Sequence, residues 1–177
     1  MNIDERKVKR LELYQRSIGT AYQQLKDVLY SDNSDEVFIA LKSLLDLIFS
    51  ADEMHFERKG YFKRRDNDKK GIYLNGLRYA VNLLKHERIC FEVQQVTTVP
   101  MFEFPLEIPE EGIEMGIIQV EWVEVDTLPN SKLDDNKNFV FQKKRYNERL
   151  VGNEIFKAID AGIEFLLKAK NDFVDWF

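Results

Sequence analysis

The sequence predicts an α+β fold: an antiparallel helical bundle with a small β-rich insert between its third helix and its last long one. Two observations set the two textures. Over most of the chain apolar residues recur at three- and four-residue steps, whereas between about 91 and 126 the period shortens to two. A third is punctuation: Pro100, Pro105, Pro109, Gly112 and Gly116 all fall within that short-period stretch. At 177 residues the chain is the size of a single domain, and residues 1–177 are read as one, with no internal repeat.

The first helix is predicted over about 5–30, from Leu11, Leu13, Ile18, Ala21, Leu25, Val28 and Leu29. Gly19 interrupts that pattern and weakens it locally. Ser31, Asp32 and Asn33 read as a turn, with Ser34 as the N-cap of a second helix over about 35–60. Val37, Phe38, Leu41, Leu44, Leu45 and Ile48 form its apolar face. From Arg58 to Lys70 the chain turns basic, with Lys63, Arg64 and Arg65 at its centre. Read simply, this stretch is an exposed helix end and loop; its functional reading is phosphate contact. A third helix is predicted over about 71–88, with Leu74, Leu77, Ala80, Val81 and Leu84 on one arc.

Beyond Cys90 the alternation of Phe91, Val93 and Val96 predicts a strand, and Phe102, Phe104, Leu106 and Ile108 alternate more cleanly. Pro105 confines that second run to an edge strand or an extended loop. Ile118, Val120 and Trp122 alternate again, and the change of phase at Val123 suggests a bulge. Residues 127–138 read as a polar loop. A helical period returns over about 143–170 through Tyr146, Leu150, Ile155, Ile159, Ile163, Leu166 and Leu167. Gly152 marks a bend or break in it, with Asn153 as a cap for the second piece.

Composition narrows the function classes. A hydrophobic fraction of 44% and a charged fraction of 32% suit a globular core. A net charge of −5 argues against a groove built for duplex DNA. One cysteine, Cys90, allows neither an internal disulfide nor a multi-cysteine zinc site. The expected compartment is therefore the reducing cytoplasm; Cys90 reads as a buried hydrophobe, with a nucleophile as the rarer alternative. No stretch suggests a signal peptide or a membrane span, and no motif calls for a metal or another cofactor. His55 stands three residues after Asp52, on one helix face, but two ligands are too few for a metal and a structural role is the expectation. The acidic insert, including Glu103, Glu107, Glu110, Glu111, Glu114, Glu121 and Glu124, reads as the wet face of a sheet rather than a glycosidase pair.

One constellation points to chemistry. Asn75, Arg78, Asn82 and His86 are spaced by three, four and four residues, which puts them within an arc of roughly 80° of a helix. Lys85 lies at its edge. A histidine exchanges protons near neutral pH, and an arginine presents a fork of donors suited to phosphate. Arg78, Asn82 and His86 are thus the candidate catalytic residues, for RNA cleavage without a metal. Asn75, Lys85, Lys63, Arg64 and Arg65 are the candidate substrate contacts. The competing reading is an ordinary polar helix face.

The run from Arg78 to His86, RYAVNLLKH, resembles the motif helix of the HEPN superfamily, small helical bundles of toxin–antitoxin and phage-defence systems. In that motif a polar residue follows the arginine, and four to six residues precede the histidine. Here Tyr79 follows Arg78, and seven residues separate it from His86. The resemblance implies a HEPN-like bundle, a metal-independent ribonuclease or an RNA-binding relative that does not cut, and a homodimer with two motif helices facing one groove. A different class stays open beside it: a non-catalytic antitoxin, immunity or adaptor protein, binding a protein partner through the acidic insert and the aromatic tail from Phe173 to Phe177.

Overall fold

The computed structural model describes residues 3–29, 33–98, 115–125 and 137–174. Among them are six helices and one two-stranded sheet, so the α+β bundle expected from periodicity is the fold. The order is α1 (Ile3–Val28), α2 (Ser34–Glu53), α3 (Tyr61–Asn67), α4 (Tyr73–Lys85), β1 (Phe91–Thr98), β2 (Met115–Trp122), α5 (Lys137–Arg149) and α6 (Ile155–Val174). Helix α1 packs on α2, α4 on α5, and α6 closes the bundle against α1, α2 and α4. Leu25, Leu41, Leu44, Leu83, Leu84, Ile159 and Phe165 are among the fully buried side chains at the centre. Truncating a leucine in such a site costs about 2–5 kcal/mol.

Several boundaries differ from the periodicity, each for a local reason. Asn33 caps α2, its Oδ1 accepting from the amides of Asp35 and Glu36; Ser34 is already inside the helix. Helix α2 stops at Glu53 rather than near 60, because residues 54–60 wind into tight turns and Gly60 takes a left-handed φ of 81°. Arg58 to Lys70 is not simply a loop: α3 lies within it, with Tyr61 and Arg65 buried. Helix α4 ends at Lys85, where Glu87, at φ 56°, closes a left-handed cap. The Glu87 amide bonds the Leu84 carbonyl and the Arg88 amide that of Leu83, a Schellman pattern with glutamate in the place glycine usually holds.

Strands β1 and β2 pair antiparallel from Phe91↔Trp122 to Thr98↔Met115 without interruption. The bulge expected near Val123 is absent: the strand ends at Trp122, and the chain leaves the ribbon there. Phe91, Val120 and Trp122 anchor the base of the ribbon in the core. The Tyr146 hydroxyl donates to the carbonyls of Cys90 and Val123, at 3.0 and 2.6 Å. The run from Phe102 to Ile108 and the tail beyond Val174 lie outside the described residues. Helix α5 begins at Lys137, earlier than 143, since Phe139 buries on the same face as Tyr146. Gly152, at φ 71°, breaks α5 from α6. Glu154, not Asn153, caps α6, its Oε2 accepting from the Lys157 amide.

Candidate functional site

A buried polar cluster occupies the place where α2, α3 and α4 meet, and it is organised around Asp52. This acid continues the apolar stripe of Leu41, Leu45 and Ile48 into the interior and is 2% exposed. A lone carboxylate there would be costly, and three donors offset that cost. The Tyr61 hydroxyl donates to Oδ1 at 2.5 Å. On Oδ2 converge Arg65 Nη1 at 3.0 Å and Arg78 Nη2 at 3.3 Å. Arg65 reaches onward, through Nη2 to Asn75 Oδ1 at 2.9 Å and through Nε to Asp66 Oδ1 at 3.2 Å. Asn75 Nδ2 then donates to the same Asp66 oxygen at 2.9 Å. Breaking a buried pair of this kind by deleting one partner costs about 3–5 kcal/mol, because the remaining charge is stranded.

The guanidinium groups are also stacked. Arg78 Cζ lies 3.6 Å from the Phe49 ring centroid and 4.7 Å from that of Phe56. Arg65 Cζ lies 5.1 Å from Phe62, whose ring is 4.8 Å from Phe56. Such cation–π contacts hold planar cations against aromatic faces. Burial pulls the Arg78 guanidinium below its usual pKa, with the Asp52 carboxylate opposing that pull. Its Nε–H is buried without an acceptor, so the donor capacity of this arginine is only partly used.

Beside the cluster opens a cleft of about 340 Å³, lined by Phe56, Phe62, Arg65, Asp66, Asn75 and Arg78 with Asn138, Phe141 and Gln142 of α5. Its charges nearly balance, two guanidiniums facing Asp52 and Asp66. Aromatic faces, amides and guanidinium edges line the remainder. Such a surface suits a planar, polar ligand rather than a highly charged one.

The predicted site residues separate into two groups. Arg78, Asn75 and Arg65 meet at the cleft, and Lys63 lies on the exposed arc of α3 beside Asp66. Arg64 faces away, its Cζ 5.9 Å from the Phe165 ring. Asn82 is half-buried further along α4. Lys85 is exposed, its Nζ 5.3 Å from the Phe49 ring. His86 is the exposed C-cap residue of α4 and does not line the cleft. His86 is eight positions beyond Arg78, about 12 Å along the axis, and the arginine turns toward Asp52. The stripe is therefore not one assembled constellation.

Tyr61, Phe56, Phe62 and the α5 residues escaped the sequence reading as site residues, and Asp52 was weighed only beside His55. The available signal was Asp52 itself, an acid set on an apolar stripe. His55 belongs to another environment: its ring stacks on Tyr61 at 5.1 Å, and Arg58 Nη1 lies 3.3 Å from Nδ1. Burial, with the Arg58 and Arg64 cations, pulls its pKa from 6.5 to about 4. Cys90 is fully buried and its thiol is pushed up to about 12, which makes it an inert core residue. Among the described residues no group of three or more His, Cys, Asp or Glu is placed to hold a metal ion. No helix among them is long and apolar enough to cross a membrane.

Comparison with family models, curated proteins and solved structures finds no match to this chain.

Proposed function

We propose that this chain is a HEPN-like, RNA-associated protein that binds single-stranded RNA at the cleft between α3, α4 and α5 without cutting it. The observation that carries this reading is the cleft's lining of stacked rings and guanidiniums with amides at their edges. A nucleobase is planar and neutral, and it stacks on aromatic and guanidinium faces while its edge bonds amides and charged groups. The near-neutral balance of the cleft favours a base over a phosphate within it. The exposed Lys63 and Lys69 on the outer side of the basic segment suit the flanking phosphates.

Binding is preferred over cleavage on geometry. Cleavage by the predicted residues needs Arg78 and His86 at one phosphate. Arg78 is engaged by Asp52, and His86 sits past the helix end. Pairing of two chains through their motif helices would use the edge formed by Arg78, Asn82 and Lys85, since α4 is otherwise largely buried.

Fluorescence anisotropy with a labelled single-stranded RNA and its duplex tests the reading. The single strand is expected to bind more tightly. Phe62 is 45% exposed, so Phe62→Ala should fold normally, and it is expected to weaken binding about tenfold, the worth of one stacked base. Equal binding of duplex and single strand, or no effect of Phe62→Ala, overturns the cleft as the site. A parallel incubation of an RNA pool with EDTA is expected to leave it intact. Cutting that His86→Ala abolishes would instead establish the ribonuclease.

A further inference from the structure

A second cavity, of about 230 Å³, lies between α1, α2 and α6. Leu11, Ile18, Ala51, Ile163 and Leu166 make its walls apolar, and the buried His55 contributes an uncharged ring at neutral pH. Lys170 is thus the one charged residue of the lining among the described residues. Its Nζ donates to Gln15 Oε1 at 3.0 Å and forms a longer ion pair with Glu12 Oε1 at 3.9 Å, which an incoming carboxylate would replace. An ammonium has three N–H donors, so this one retains capacity for an incoming acceptor.

Gly19 gives an independent indication. It lies inside α1, where glycine weakens a helix. Mid-helix glycines usually answer a close packing contact, yet a Cβ at Gly19 would meet nothing within 4 Å. Among the described residues nothing requires the missing side chain. Its absence leaves the rim of this cavity open, since Gly19 is itself a lining residue and is exposed.

We propose that this cavity binds a small monocarboxylate, its apolar body between α1, α2 and α6 and its carboxylate on Lys170. The size follows by proportion. An apolar cavity of about 150 Å³ takes benzene, so this volume suits a body of about nine heavy atoms. Gln15 yields its hydrogen bond with Lys170 or shares it with the ligand. The site is separate from the cleft and does not depend on the RNA reading.

Isothermal titration with sodium octanoate tests it, with 1-octanol and octylamine as comparators of the same length. Octanoate is expected to bind at one site per chain, at least tenfold more tightly than octylamine. Gly19→Leu should lower octanoate affinity at least tenfold while keeping or raising the thermal midpoint, because it fills the rim and strengthens the helix. Lys170→Met should bring octanoate down to the level of octanol and leave octanol unchanged. No saturable binding of octanoate at millimolar concentration overturns the proposal. So does binding that survives Gly19→Leu, or a preference for the carboxylate that survives Lys170→Met. Binding seen only in a Trp176→Ala/Phe177→Ala variant would make the chain's own tail the occupant and would equally overturn it.

Discussion

His55 and Asp52 stand three residues apart and meet burial in opposite ways. Asp52 has Tyr61, Arg65 and Arg78 gathered around it. His55 packs as a ring against Tyr61 with cations for neighbours, so its charged form is disfavoured. The folded-state pKa of about 4 lies below the unfolded value near 6.5. Between those values the unfolded chain binds more protons, so stability rises with pH there. The contribution is complete above about pH 6.5 and is lost as the pH falls toward 4. The expected loss is about 3 kcal/mol by pH 4. Urea unfolding at pH 7 and pH 4.5 checks this: His55→Leu should flatten the slope, and an unchanged slope would refute the assignment. A structural role for His55 was legible because Asp52 beside it leaves too few ligands for a metal. The partners of Asp52 were not, since Tyr61, Arg65 and Arg78 converge from two other helices and no spacing along one helix encodes that.

At the scale of elements, α4 lies against α5 through a glycine. A Cβ at Gly76 would meet Leu150 Cδ1 at 2.6 Å, with the Arg145 carbonyl and Tyr146 Cα at 3.3 Å. Leucine can shift but the α5 backbone cannot, so Gly76→Ala is expected to destabilise by about 1–3 kcal/mol, the range for overpacking. Alanine favours helix by about 1 kcal/mol over glycine, so a measured gain in denaturant midpoint would show that the interface relaxes freely. Gly76 lies outside the readings made from the sequence because a close approach is a property of two helices. The long helices themselves were legible, since their apolar stripes extend over many turns. Helix α3 was not: seven residues, three of them basic, give too short a pattern to separate from a loop. The ends of α4 and α2 were hidden for a related reason. Glu87 takes a conformation its type seldom adopts, and Met54 and Phe56 prolong an apolar count past the point where the backbone turns.

For the molecule as a whole, the base of the ribbon is joined to the bundle by the buried Phe91, Val120 and Trp122 and by a small set of hydrogen bonds. Tyr146 of α5 bonds the carbonyls on both sides of the ribbon's base, while Trp122 and the turn at Gly152 and Asn153 exchange two backbone hydrogen bonds. Tyr146→Phe keeps the packing and removes the hydroxyl's bond to the Val123 carbonyl, while the Cys90 carbonyl keeps the Val123 amide. A loss of about 1–2 kcal/mol is expected. Amide exchange should separate the two parts, with faster exchange at Val123 than in α2; uniform acceleration would mean that they open as one unit. The α+β composition was legible from the switch in period, but the point of attachment was not, because Tyr146 reads in sequence as one more apolar contact of a helix.

The ladder of the ribbon carries one further implication. Its register runs unbroken from Phe91↔Trp122 to Thr98↔Met115, and Phe91 and Trp122 at the first end are buried in the core. Thr98 and Met115, far apart in the chain, are thereby held as direct neighbours. In evolutionary terms the anchored end is the constrained one: a change at Phe91 or Trp122 disturbs the core of the bundle as well as the ribbon, so selection should hold those two positions.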